Sequence, residues 1–259
     1  MAKIKYTFDD YISSPSGKGS AVNTMTPTID QFEKELMGLE GRNAKASFKV
    51  YRQVKTGGKH QYYIHFKIPS STKDFFNDVV LEFTEDDNDS GNIKTVKHYN
   101  IKFFSNDTNF VYTYAYTFKS HGLLIGDLEK RLPLRCLIQK PTLRNPDNAM
   151  GYNKSICFCY VIMTREQLFE KETLNRVAVS GGFSKLYSEV PSFDAKLRER
   201  SKITQEQREK GQKKEQPNTK VVKSKGLLGN TPLESLKPKI TKIVGNTKKT
   251  SIVKKVKKR

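Results

Sequence analysis

The chain of 259 residues is 36% hydrophobic and 29% charged, and it carries a formal net charge of +20. This content allows one buried core of ordinary size together with a long appendage. The sequence has no apolar run of membrane-span length and no signal-peptide core near its start. Its three cysteines give no disulfide framework, which fits a reducing compartment, so we expect a soluble protein made in a cytoplasm.

The positive charge is concentrated in the last quarter of the chain. Residues 195–259 contain 21 basic and 5 acidic residues, whereas residues 1–194 contain 26 basic and 22 acidic residues. The larger part of the chain is therefore nearly balanced in charge, and the basic character belongs to its C-terminal part.

The chain begins with a polar stretch that leads into a helix. Residues 13–27 are small and polar, and we predict that residues 1–27 form an extended N-terminal arm. Thr28 and Gln31 have the spacing of a capping box and begin a predicted helix that ends at Gly41. The apolar stripe of this helix consists of Ile29, Phe32, Leu36 and Leu39.

From residue 46 onward the apolar residues recur with a period of two. Five segments with this pattern are predicted to be strands: residues 46–54, 60–68, 77–85, 97–104 and 109–118. Because their connections are short and polar, the strands are expected to form an antiparallel meander. The continuous apolar run at residues 155–163 predicts a sixth strand.

Helices are predicted around these strands. They cover residues 122–133, residues 164–175 after a second capping box, and the highly charged residues 192–210. Beyond Gly211 the composition is typical of disorder. The expected fold is therefore an α+β domain over residues 28–190, followed over residues 191–259 by a charged helix and a long disordered basic tail.

No metal site or cofactor is predicted. The loop at residues 85–93 matches the first part of an EF-hand calcium loop, but Lys97 stands where a glutamate is required. We therefore interpret it as a polar hairpin loop. Cys157 and Cys159 lack two further ligands at metal-site spacing, and we expect them to be buried thiols.

The segment at residues 109–118 is unusually aromatic. If it is a strand, one face carries all five of its rings, namely Phe110, Tyr112, Tyr114, Tyr116 and Phe118. The interpretation we favour is a core wall or a subunit contact. A base-stacking platform is the alternative, and the absence of basic residues from 106 to 118 speaks against it.

The last twelve residues, KKTSIVKKVKKR, contain seven basic residues and no acid. Such tethered cations bind phosphate backbones by releasing counterions, without reading the base sequence. Docking on an acidic protein surface and an inert solvated tail are the alternatives. The predicted contact residues are Lys248, Lys249, Lys254, Lys255, Lys257, Lys258 and Arg259.

Part of the sequence resembles uncharacterised proteins of tailed bacteriophages. The resemblance covers residues 105–163 and includes SNDTNFVYTYAYTFKSHGLLIGDLEKRL, the tripeptide RNP and KSICFCYVIM. The abundance of Asn, Lys and Tyr also resembles products of AT-rich phage genomes. The resemblance implies a virion component of the neck, the connector or the particle interior, present in the host cytoplasm during assembly and afterwards in the virion.

Three classes of function follow from these patterns. We expect a non-enzymatic structural or assembly protein whose β domain contacts other subunits, including further copies of itself, and whose tail contacts double-stranded DNA or an acidic protein. The first alternative is a sequence-nonspecific nucleic-acid-binding protein. An enzyme is the least favoured class, since the chain contains no HExxH, GxSxG or dinucleotide-binding motif.

Overall fold

A computed structural model describes residues 6–13, 29–55, 58–85, 94–145 and 148–214, with side chains described up to residue 210. The described residues belong to one compact unit. Within them a mostly antiparallel sheet is combined with helices, so the fold is α+β, as the sequence predicts.

The described part of the chain forms one five-stranded sheet. Its strands are β1 (Ser47–Val54), β2 (His60–Pro69), β3 (Phe76–Thr84), β4 (Asn100–Ser105) and β5 (Ala178–Val179). They are ordered β4-β3-β2-β1-β5, with β1 to β4 antiparallel and β5 parallel to β1. The predicted meander is therefore confirmed for its first four strands.

Helices surround this sheet. Those described are α1 (Phe8–Ser13), α2 (Ile29–Glu40), α3 (Ala115–Ser120), α4 (Leu134–Ile138), α5 (Lys154–Arg165), α6 (Lys171–Val177), α7 (Gly182–Glu189) and α8 (Phe193–Lys214). Short 3₁₀ helices are formed by Val96–His98 and Gly126–Arg131, and a π-helix by Phe110–Tyr114.

The alternating sequence gives the sheet two different faces. The apolar face consists of Ile64, Phe66, Val79, Leu81, Phe83, Ile101 and Phe103, which the strand register places on one side. The polar face, on the other side, includes Gln61, Tyr63, His65, Asp78, Glu82 and Lys102. Both faces are covered, because all of these residues are buried except the half-buried Lys102.

Different helices cover the two faces. The Phe8 ring of α1 lies 6.2 Å from the ring of Phe83 and 5.8 Å from that of Phe103 on the apolar face. Helix α2, which the sequence predicts between Thr28 and Gly41, packs on α5. Helix α5 in turn contacts β2 and β3. On the polar face, the Phe183 ring of α7 lies 5.0 Å from the ring of Tyr63. The first turns of α8 lie on the polar face as well.

The prediction of an extended arm is wrong for residues 8–13, which form α1. Thr7 and Asp10 form a capping box, since the Asp10 N–H donates to Thr7 Oγ1 at 3.1 Å and the Thr7 N–H donates to Asp10 Oδ2 at 2.8 Å. The helix buries Phe8 and Tyr11 completely. Burial of these two rings stabilises a helix next to the small polar stretch at residues 13–27, on which the prediction of an arm was based. Residues 1–5 and 14–27 of the predicted arm lie outside the described part of the chain.

The predicted strand at residues 109–118 is also wrong. This segment is the π-helix and α3, and it follows Asp107, whose Oδ1 accepts the N–H of Asn109 at 3.2 Å. A helical backbone brings residues four apart together, so Phe110, Tyr114 and Phe118 enter the core side by side. Packing of these rings overrides a pattern that has the period of a strand.

The predicted strand at residues 155–163 belongs instead to α5. Asn153 caps this helix by accepting the N–H of Ile156 at 3.1 Å. The helix is buried on most of its sides, which makes its sequence continuously apolar. A short apolar run of this kind does not distinguish a buried strand from a buried helix.

Other helix boundaries differ from the prediction. The segment predicted as one helix at residues 122–133 contains a 3₁₀ helix, and α4 follows Pro133. The helix predicted at residues 164–175 is divided between the end of α5 and α6. The charged helix predicted at residues 192–210 is found as α8. The predicted domain boundary at residue 190 is too early, because Phe193 and Lys196 of α8 are buried.

Candidate functional site

A cluster of buried charged side chains lies on the polar face and joins the sheet to α8. Asp78 is 1% exposed, His65 is 3% exposed and Lys196 is 7% exposed. His65 Nε2 lies 2.7 Å from Asp78 Oδ1, and Lys196 Nζ lies 3.1 Å from Asp78 Oδ2. These three residues are called the charged cluster below.

The strand register brings two members of this cluster together. Asp78 on β3 is directly opposite Lys67 on β2, and His65 is two residues away on the same face of β2. Diagonal neighbours of this kind are within reach of long side chains. Lys196 lies on α8, the last helix of the described chain, more than 100 residues after Asp78 in the sequence. The sequence analysis missed all three residues, although a polar residue at every second position of β2 was a visible signal.

Asn106 completes the hydrogen bonding of Asp78. Its Oδ1 accepts the backbone N–H of Asp78 at 2.8 Å, and its Nδ2 donates to Asp78 Oδ2 at 3.1 Å. Burial alone would raise the pKa of Asp78, but the hydrogen bond from His65 and the charge of Lys196 outweigh this effect and lower the pKa below its ordinary value. Asp78 is therefore a buried carboxylate with its charge matched by its neighbours.

The first two turns of α8 are held by further contacts. Lys196 Nζ also lies 3.0 Å from Glu199 Oε2 and 5.2 Å from the centre of the Phe75 ring. Phe193 is buried, and its ring packs edge-on against that of Tyr112 at 5.5 Å. The N-terminal end of α8 is thus fixed by both apolar packing and a buried ion pair.

The later turns of α8 have a different environment. Most side chains from residue 201 to residue 210 are exposed, and none in this range is buried. One contact to the domain is the hydrogen bond from Gln207 Nε2 to the carbonyl oxygen of Lys73, at 2.9 Å. A helix that is polar on all sides gains little from packing, so its position depends on its anchored end.

The His65 and Asp78 pair has the hydrogen bond of a catalytic dyad but not its accessibility. A general base must come within hydrogen-bonding reach of a substrate proton. His65 has almost no exposed surface. In this geometry the pair connects parts of the fold, because Asp78 also binds Lys196 of α8, and a substrate would have to displace the elements that cover this face to reach it.

A solvent-accessible groove lies elsewhere on the polar face. It has a volume of about 580 Å³ and is bordered by Tyr63, Glu82, Lys102, Asp127 and Phe183, among others. Burial and the negative charges of Glu82 and Asp127 raise the pKa of Tyr63. The groove therefore offers a protonated phenol and groups of both charges, which suit a small polar ligand.

The five rings of the aromatic segment do not form a single surface. Phe110, Tyr114 and Phe118 are buried, Tyr116 is half-buried and Tyr112 is exposed. Phe118 packs edge-on against Phe103 of the sheet at 5.2 Å. Three of the rings thus lie in the core, and they are not available for stacking on bases. A subunit contact through Tyr112 stays a prediction.

Several predicted residues lie outside the described part of the chain. They include most of the calcium-like loop, residues 86–93, and all seven predicted tail contacts: Lys248, Lys249, Lys254, Lys255, Lys257, Lys258 and Arg259. Their roles stay predictions.

The cysteines within the described residues are free thiols. Cys157 and Cys159 are buried on α5, and burial raises the pKa of both, which keeps them protonated. Cys136, on α4, is half-buried. No group of three or more His, Cys, Asp or Glu side chains in the described ranges is arranged to hold a metal ion.

We compared the chain with known proteins at the levels of family, sequence and structure. No family model, no curated protein and no solved structure matches this chain. Among the helices that the structure describes, none is both long enough and apolar enough to cross a membrane.

Proposed function

We propose that the protein is a non-enzymatic structural or assembly protein, a virion component of a tailed bacteriophage. In this proposal the α+β domain is a rigid base that contacts other subunits. Helix α8 leads from this base into the cationic tail, and the tail binds double-stranded DNA. The phage assignment is based on the sequence resemblance over residues 105–163.

The observation that carries the proposal is the anchoring of α8 by the charged cluster. Lys196 is buried, which is rare for a lysine, and the carboxylate of Asp78 neutralises its charge. Its burial fixes the start of the helix that leads into residues with a strong excess of positive charge. A cationic segment that is tethered to a domain has a raised effective concentration at a phosphate backbone next to that domain.

The tail's part in this proposal is tested with a charge-neutral variant of the full chain. The six predicted contact lysines of the last twelve residues and Arg259 are replaced by glutamine, and a matched control replaces the six lysines by arginine. Binding to duplexes of unrelated sequence is measured by fluorescence anisotropy over a range of salt concentrations. Tail binding predicts that log K falls linearly with log salt, with a slope of about −6 if seven phosphates are neutralised.

The glutamine variant should lose most of this slope, whereas the arginine control should keep it. Equal binding by the wild type and the glutamine variant would show that the tail is not the DNA contact. A strong preference for one duplex sequence would also contradict the proposal, because phosphate contacts do not read bases.

The composition of purified virions distinguishes the proposed function from the alternative, a free nucleic-acid-binding protein. Mass spectrometry of purified virions should find the wild-type chain at a fixed copy number per particle. Its absence from particles, together with salt-sensitive DNA binding in solution, would favour the alternative. Absence from particles combined with no DNA binding would reject both functions.

A further inference from the structure

Large apolar side chains are exposed together around α4. Leu134 is 68% exposed, Ile138 is 65% exposed and Leu143 is 84% exposed. These three side chains lie within ten residues of one another, and Tyr112 borders the same region through a cavity described below. Single exposed apolar side chains are common, whereas a group of three is more typical of an interaction surface.

This segment is held in place at both ends. Leu132 and Leu137 are buried on either side of Pro133, whose carbonyl oxygen accepts the N–H of Cys136 at 3.0 Å. Asn145 is completely buried, and its Nδ2 donates to the carbonyl oxygen of Ala149 at 2.9 Å. The exposed apolar side chains therefore belong to a fixed surface, which a partner can recognise without first ordering it.

The surface is also cationic. Residues 130–146 contain five basic residues and no acid. Arg135, Lys140 and Arg144 are exposed, and none of them forms an ion pair with a carboxylate of a described residue. These three residues and the exposed Leu134, Ile138 and Leu143 are called the α4 surface below.

A concave site adjoins the α4 surface. A cavity of about 270 Å³ lies between Val111 and Tyr112 of the π-helix and the stretch from Arg135 to Thr142. A cavity of this kind accepts a protruding side chain, whereas a lipid surface or a DNA backbone would leave it empty. The combination of cavity, apolar side chains and cations therefore indicates a protein partner with apolar and acidic side chains.

Helix α2 has a complementary exposed side. Met37 is 61% exposed, and Asp30 and Glu33 are exposed at helical spacing from it. Neither Asp30 nor Glu33 forms an ion pair with a described residue, whereas Glu35 pairs with Lys154. The exposed side of α2, defined by Asp30, Glu33 and Met37, thus has a protruding apolar side chain flanked by two carboxylates, with the exposed Lys34 as the one cation beside them among the described residues of α2.

We infer that the protein self-associates head to tail, with the α4 surface of one copy bound to the exposed side of α2 of the next copy. Met37 enters the cavity beside Tyr112, and the carboxylates of Asp30 and Glu33 meet Arg135 and Lys140. Because the two surfaces differ, the contact is heterologous and can be repeated by further copies. This inference names one partner for the proposed assembly function and is independent of DNA binding by the tail.

The test uses sedimentation of the full chain over a range of concentrations. Wild type should associate, and Arg135→Glu or Glu33→Arg alone should weaken association by about tenfold or more. The double variant Arg135→Glu/Glu33→Arg should associate nearly as well as wild type, because the charges are exchanged. Lys140→Glu repeats the α4 change at a second exposed position, and Lys45→Glu is a control with the same change in net charge on an exposed residue elsewhere.

A wild-type chain that stays monomeric at every concentration would overturn the inference. Association that none of the three single reversals weakens would overturn it as well. So would an equal effect of Lys45→Glu, since this would indicate a response to net charge alone. The glutamine tail variant should associate like wild type, so failure of DNA binding and failure of self-association give different results.

Discussion

The two faces of the sheet come from the same strands and the same alternating pattern, but they contribute different properties to the molecule. On the apolar face, rings from α1 and the strands overlap, as Phe8 does with Phe83 and Phe103. On the polar face, the carboxylate of Asp78 binds His65 and Lys196 of α8, and this ion pair acts together with the packing of Phe193. Apolar burial is non-directional, whereas hydrogen bonds and ion pairs depend on geometry.

The two faces contribute differently to the stability of the domain and to the position of α8. The apolar face can supply most of the free energy of folding, because many side chains share the burial. The polar face can add less, since burying charges offsets much of their attraction. Its charged cluster instead determines where α8 begins, and with it the start of the chain that leads to the tail.

The largest effect is expected on the apolar face. Phe103 is completely buried, and its ring contacts those of Phe8, Tyr11 and Phe118. Phe103→Ala should lower the free energy of unfolding by about 3–5 kcal/mol, because it removes apolar contacts and leaves a cavity. Urea denaturation measures this change. Val54→Ala, at an exposed position of β1, is the control and should change it by about 0.5 kcal/mol or less.

A smaller but more localised effect is expected on the polar face. Asp78→Asn removes the charge that neutralises buried Lys196, and it should lower the free energy of unfolding by about 3 kcal/mol. The double variant Asp78→Asn/Lys196→Met should recover part of this loss, because no unpaired charge then remains buried. Denaturation of the two variants side by side checks this order. Equal stability of the two would show that Lys196 is not dependent on Asp78.

The sequence predicts the strands and their apolar face better than the charged cluster on the polar face. The alternation in residues 46–104 predicts four strands and their order, because one side of each strand is mostly apolar. The charged cluster could not be predicted, since Lys196 meets Asp78 only after α8 has packed on the sheet. The segments at residues 109–118 and 155–163 were misassigned because an apolar pattern in a short segment does not distinguish a strand from a buried helix, and packing in the core decides between them.

The pH dependence of stability should come from the polar face. The pKa of Asp78 is lower in the folded chain than its ordinary value of 3.8. The unfolded chain therefore binds more protons in this range, so the stabilisation is complete above the unfolded pKa and is lost as the pH falls below it. Thermal unfolding between about pH 6 and pH 3 should show this loss, and Asp78→Asn should reduce the slope. An unchanged slope in the variant would assign the effect to other carboxylates.

The smallest effect concerns thiol reactivity. Cys157 and Cys159 lie buried on α5, on the apolar side of the sheet, whereas Cys136 is half-buried on α4. Cys136 should react with a thiol reagent in the native state, and the other two should react only after unfolding. A Cys136→Ser variant provides the control, because it should remove the early phase alone. Rapid reaction of three thiols in the native chain would contradict the packing of α5.

The central claim is that the charged cluster fixes the start of α8, and amide hydrogen exchange followed by mass spectrometry tests it most directly. The account predicts slow exchange for the first two turns of α8, faster exchange from residue 201 onward, and a loss of protection in the first turns of Asp78→Asn that exceeds the loss in β2. Equally fast exchange along the whole of wild-type α8, or protection that is unchanged in Asp78→Asn, would contradict it.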